Sequence, residues 1–268
     1  MLGPGIQPLQ QILSAGTLME PIPLSALLVP AISVGTLLIG LAIFILAWAR
    51  LRDRLFLAVA LIGVASLAYI SLDLARLYLG GVELRLQAAL RLALAAELSI
   101  TFILVLLPFL VTGLVPPGSW QEQINRPVLL VTGAATVAIV LSGSINPDLL
   151  SSLTRPVAAG FRRATQYGIG QAGPLLPVRD LLVALVFLYF LVVTVVPGRT
   201  DDSGESQPRG IYVLAAVVAM AFGLQGIYHN VFGTFLGPFA DVSYSRVGVG
   251  LVLFTLISMA GAIDRFVK

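Results

Sequence analysis

Four ionisable residues stand in a stretch where almost every other side chain is apolar: Asp73, Arg76, Arg91 and Glu97, all between Leu55 and Leu114. Asp73 and Arg76 are three residues apart and so share one face of a helix. A charge held in hydrocarbon costs about 3 kcal/mol or more, so such groups pair with each other or line a polar cavity. Counted outward from the turn near Val82 and Glu83, Asp73 and Arg76 fall at about the depth of Arg91, which makes Asp73 with Arg91 the natural bridge. Glu97 lies deeper, six residues beyond Arg91 and on another face. Its partners are expected among Arg246, Tyr69, a hydroxyl and water. A cluster of this kind can hold a ligand, an ion or a proton. Its structural alternative is a clamp that fixes helix register, with Arg76 and Arg91 reaching out to the interface.

The remaining reactive side chains are few. There is no cysteine, one histidine (His229), and one lysine, the terminal Lys268. Disulfides, thiolate metal sites, bis-histidine haem and a retinal Schiff base are therefore not expected, and no cofactor or metal is predicted. No phosphate-cradling glycine loop, HExxH or nucleotide motif occurs. The net charge of +3 comes from arginines scattered along loops and helix ends rather than from a basic run with interleaved aromatics, so nucleic acid is not an expected partner.

The elements that position these residues are apolar blocks. The 268-residue chain is 58% hydrophobic and only 11% charged, with a mean hydropathy of +0.98. Soluble domains carry roughly a quarter charged residues, so lipid must be the main solvent. The expected fold is all-α: a polytopic membrane protein of seven transmembrane helices over about 24–48, 55–78, 86–114, 128–145, 180–196, 211–232 and 246–266, the length that crosses a core of roughly 30 Å. Residues 1–23 form a Gly/Pro/Gln-rich lead without the basic start and short apolar run of a cleavable signal. Residues 24–268 form one membrane domain. Within the longest connector Leu149, Leu153, Val157 and Phe161 recur every four residues beside Arg155, Arg162 and Arg163, the pattern of an interfacial amphipathic helix over 149–167. The span at 128–145, rich in Ala, Gly, Ser and Thr, suits close packing against other helices. Pro108 should kink the third span.

Trp48 followed by Arg50, Arg52 and Arg54 in a tight turn marks the inner side, which places the N-terminus outside and the C-terminus inside. This layout, with its basic turn after the first span and an inside end at Asp264-Arg265-Phe266, resembles the seven-helix N-terminal sensor regions of bacterial histidine kinases and cyclases. The resemblance implies a bacterial cytoplasmic (inner) membrane and a role in signal transduction. In those families a signalling domain follows the seventh helix; the resemblance therefore implies either that the sequence is cut short of that domain or that a separate downstream signalling partner supplies the output. It assigns no individual residue.

Ser142 and Ser144 late in the fourth span, with His229 in the sixth, distantly resemble the dyad of rhomboid intramembrane proteases. The Gly-x-Ser-Gly motif of that family is absent here. The reading that follows is a non-enzymatic integral membrane protein, either an accessory or scaffold subunit of a larger membrane complex or a sensor-type module, with lipids and membrane proteins as partners. The alternative is a carrier of a small solute, ion or proton through Glu97. The expected site is the cluster Asp73, Arg76, Arg91 and Glu97, with Tyr69, His229 and Arg246 as further polar groups.

Overall fold

The computed structural model of the protein describes residues 24–80, 92, 95, 96, 98–142, 175–195, 209–232 and 246–267. The lead at 1–23 and the segment at 149–167 lie outside these residues. The described residues are helical apart from short turns. The helices are α1 (Leu24–Leu51), α2 (Arg54–Gly80), α3 (Ile103–Leu114), α4 (Trp120–Ser142), α5 (Leu175–Val195), α6 (Arg209–Phe232) and α7 (Arg246–Val267).

Six of them are long and apolar enough to cross a membrane, over 31–51, 54–72, 120–141, 178–195, 210–228 and 247–264. The apolar helix Leu98–Leu114 is shorter. Large hydrophobic side chains point outward along these helices: Leu141 is 81% exposed, Leu130 75%, Val195 68% and Leu46 67%. Water would penalise such a surface and acyl chains would cover it, as in an integral membrane protein.

Inside, one apolar cluster joins all seven helices, with Phe44, Phe56, Leu104, Phe190, Tyr212 and Phe254 among its fully or nearly fully buried members. Phe56 of α2 meets Tyr212 of α6 edge to face, with ring centroids 6.4 Å apart. The short α3 sits centrally, packed on α2, α4 and α5, while α7 packs on α6, α1 and α2. At the end of α3, Gly113 is required by contact: a Cβ there would lie 2.6 Å from the Cα of Leu55. The backbones of α2 and α3 touch at that point.

Six Ser and Thr hydroxyls inside the helices are satisfied within their own helix, while the fully buried Ser258 hydroxyl of α7 has no hydrogen-bond partner among the described residues. Ser66, Ser99, Thr132, Thr136, Thr194 and Thr255 each donate to the carbonyl four residues earlier, at 2.7 to 3.0 Å. This self-bonding is the cheapest way to carry a hydroxyl where no water can serve it.

The turns follow from their residues. Arg52 has a left-handed φ of 54° just past α1, and its N–H donates to the Trp48 carbonyl at 2.8 Å. Asp53 then caps α2 by accepting from the Leu55 N–H at 2.9 Å. Between α3 and α4, Pro117 and Gly118 occupy the middle of a turn closed by the Ser119 N–H on the Pro116 carbonyl. Gly118 takes the φ of 78° that this turn needs. Ser119 accepts from the Glu122 N–H, and the Glu122 carboxylate accepts from the Gly118 N–H, a variant of the capping box.

One boundary differs from the expectation: the fourth span was expected from about 128, and α4 starts at Trp120. The cap at Ser119 nucleates it there, and Pro127 is carried inside the helix. The third span, expected over about 86–114 with a kink at Pro108, lies only in part among the described residues. Among its described residues, the helical bonding is interrupted at Phe102, where the Phe102 and Val105 N–H groups reach back only three residues. The break lies on the N-terminal side of Pro108, where a proline ring crowds the preceding turn.

Pro108 also anchors a polar junction among three helices. Asn125 of α4, 1% exposed, donates from Nδ2 to the Pro108 carbonyl at 2.8 Å. Its Oδ1 accepts from the Tyr189 hydroxyl of α5 at 2.6 Å. One turn earlier, Gln121 Nε2 makes a longer contact of 3.5 Å to the Val193 carbonyl. Replacing Asn125 with Ala strands two of these groups and should cost about 1 kcal/mol, at the upper range for hydrogen bonds between membrane helices. The expected result is a lower melting temperature in mild detergent, with exposed Gln123→Ala unchanged; equal melting of the two variants would show that the junction contributes nothing.

Candidate functional site

Consecutive helices alternate in direction, so the bundle has two distinct ends. Gly113 of α3 meets Leu55 of α2, Gln121 of α4 meets Val193 of α5, Phe56 of α2 meets Tyr212 of α6, and Gly226 of α6 meets Val247 of α7, so the end of α2, the start of α3, the end of α4, the start of α5, the end of α6 and the start of α7 point to one of them. This is the end at which the expected site residues fall: Asp73 and Arg76 on α2, His229 on α6 and Arg246 as the first residue of α7. The side chains of those four lie outside the described residues, as do Arg91 and Glu97 altogether.

The frame around them is described. Tyr69, 9% exposed, belongs to a second apolar cluster with Leu37, Ile70, Ala96 and Leu251, against which Ile100 and Val247 pack. Ala96 directly precedes Glu97, and Val247 directly follows Arg246. A Cβ on Gly226, three residues before His229, would lie 3.2 Å from a Val247 methyl. The chain therefore brings the neighbours of Glu97, Arg246 and His229 into one region with Tyr69, although they are far apart in sequence.

A charged pair absent from the expected site lies at the same end. Arg179 and Asp180 head α5 and are 5% and 4% exposed. Arg179 donates to one Asp180 oxygen from Nε at 2.9 Å and from a terminal nitrogen at 2.7 Å. Adjacent residues on a helix diverge by about 100°, so spacing gives no hint of this contact; the long arginine side chain folds back to make it. The signal that could have pointed to it is an Arg-Asp dipeptide directly ahead of an uninterrupted apolar run.

Ser142 closes α4, and its side chain, like that of His229, lies outside the described residues; Ser144 lies outside them entirely. α4 packs chiefly on α3 and α5, and α6 on α5 and α7. That packing does not bring the helices of Ser142 and His229 together. Among the described residues, no group of three or more His, Cys, Asp or Glu side chains is placed to hold a metal ion.

No protein-family model matches the chain, and neither a curated protein nor a solved structure matches it.

A buried ion pair is most costly when half of it is removed, because the survivor keeps its desolvation penalty. Asp180→Asn and Arg179→Gln should each lower stability in detergent by about 3–5 kcal/mol. The apolar double variant Arg179→Met/Asp180→Leu should lie closer to the parent than either single change. Unfolding curves check this, and losses that simply add would show that the two charges do not stabilise one another.

Proposed function

We propose that this protein is a non-enzymatic seven-span membrane module. It meets a ligand or a membrane partner at its charged end and acts through contacts with other proteins, as a sensor-type region or an accessory subunit does. The seventh span in this reading is the apolar helix Leu98–Leu114 continued through residues 86–97. The basic turn at Arg50, Arg52 and Arg54 supports an inside location for that end, and hence an outside N-terminus, in a bacterial cytoplasmic membrane.

The observation that carries the reading is the buried Arg179–Asp180 pair, placed at the same end as the region that gathers Tyr69, Ala96 and Val247. Buried charge at membrane depth is expensive, and it marks sites that bind or switch more often than sites that merely support. Joined to Asp73, Arg76, Arg91, Glu97 and Arg246, it makes this end of the bundle rich in both signs of charge.

A second reading is favoured by one feature. The tightened turn at Phe102 ahead of Pro108, with Phe102 still in the right-handed helical region, makes the central helix irregular, and carriers build their binding sites on interrupted helices. Glu97 would be the coupling group.

Two experiments separate these readings. Mild-detergent purification of the tagged protein from its own membranes should recover stoichiometric protein partners. Reconstituted alone in liposomes, it should give no ion- or proton-driven flux; flux that disappears in Glu97→Gln would replace the module by a carrier. Within the charged end, Asp73→Asn and Arg91→Gln should each lower the melting temperature, with the double change costing less than the sum. Additive losses would show that these two side chains do not meet.

A further inference from the structure

The opposite end of the bundle has a different chemistry, and it is independent of the reading above. There the α1–α2 turn presents Arg50, Arg52 and Arg54, all exposed. The turn before α4 adjoins it, since the backbone of α3 touches α2 at Gly113 and Leu55. Arg126 of α4 is 74% exposed and pairs with Glu122 at 3.0 Å. The charges of Arg126 and Arg54 both act on the Glu122 carboxylate, which ties the two turns into one patch. Four arginines stand here against two carboxylates, Asp53 and Glu122, and both carboxylates accept backbone N–H groups at the helix caps.

Directly beside the arginines, the surface is apolar and uncovered. Leu46 is 67% exposed, Ile45 46%, Leu51 45%, Ile124 46% and Trp120 43%. The Arg52 guanidinium lies over the Trp48 ring, 5.4 Å from its centroid, which holds a cation at the level where interfacial tryptophans sit. A soluble anion would satisfy the arginines and leave these side chains bare. An anionic phospholipid satisfies both, with its headgroup on the guanidinium groups and its acyl chains along α1 and α4.

We propose that the α1–α2 turn and the start of α4 form a binding site for an anionic phospholipid, with Arg52, Arg54 and Arg126 holding the headgroup. Trp48 and Trp120 are the only tryptophans in the chain, and both lie at this site. Their fluorescence therefore reports the lipid next to it.

The test uses the full chain in vesicles of mixed phosphatidylcholine and phosphatidylglycerol, with one or the other carrying brominated acyl chains. Brominated phosphatidylglycerol should quench as though enriched about fivefold at the tryptophans, which is what one arginine near a membrane surface contributes. The triple variant R52Q/R54Q/R126Q should lose the enrichment, and R52K/R54K/R126K should keep most of it. Arg85→Gln, in the connector that follows the far end of α2, serves as control for the loss of a charge elsewhere in the chain; it should retain the enrichment. Glycerophosphate in solution should not compete. Equal quenching by the two lipids in the parent protein would overturn the proposal. So would enrichment that survives the triple Gln variant, or that falls equally in Arg85→Gln, which would mark the net charge of the chain in place of a site.

Discussion

Hydrocarbon offers a polar group no partner, and that single condition orders the polar chemistry of this protein. Backbone groups close on themselves as helices. The hydroxyls of Ser66, Thr136 and Thr255 are fed back to carbonyls of their own helices. Among the described residues, two places join polar groups beyond a single turn of helix: the Asn125 junction, where an amide bridges two helices to its own, and the Arg179–Asp180 pair, where opposite charges meet. The intervening layers are left to Phe44, Phe190, Phe254 and their apolar neighbours.

The two places are not equivalent. The Asn125 junction consists of neutral groups with fixed geometry, close to a short proline turn, and it joins α3, α4 and α5 near their common end. The charged pair stands at the other end of α5, where the sequence also places most of its intramembrane charge. One end of the bundle is thus cross-linked by neutral hydrogen bonds, while the other holds a buried pair of opposite charges.

Much of this arrangement is legible in the sequence. Apolar blocks of the right length give the helices, and Arg52-Asp53 and Pro117-Gly118-Ser119 give two of the turns, because those residue types admit few backbone conformations. The start of α4 is not legible in the same way: the apolar block begins only near 128, and the residues ahead of it, Gln121, Glu122, Gln123, Asn125 and Arg126, are polar. Only tertiary contact makes Gln121 and Asn125 interior residues, through partners 72 and 17 positions away. Arg179 and Asp180 are hidden for the opposite reason. They are neighbours in the chain, and helical geometry argues against their meeting until the arginine folds back. Of the expected charged site, Tyr69 and the residues flanking Glu97 and Arg246 do converge. Sequence periodicity alone could place them at one depth but not on one another.

The anchoring of α4 changes character along its length. Its foot is fastened by the cap at Ser119, by Asn125 and by the Gln121 contact, all within its first two turns. Toward the far tip its outward face is bare, ending in Leu141. Further along, the inner face stays held by Thr132, Thr136 and Ile139, which are 8%, 1% and 4% exposed, so apolar packing takes over from polar fastening toward the tip. Whatever lies beside Leu141, lipid or protein, meets bare leucine and valine side chains backed by a packed interior.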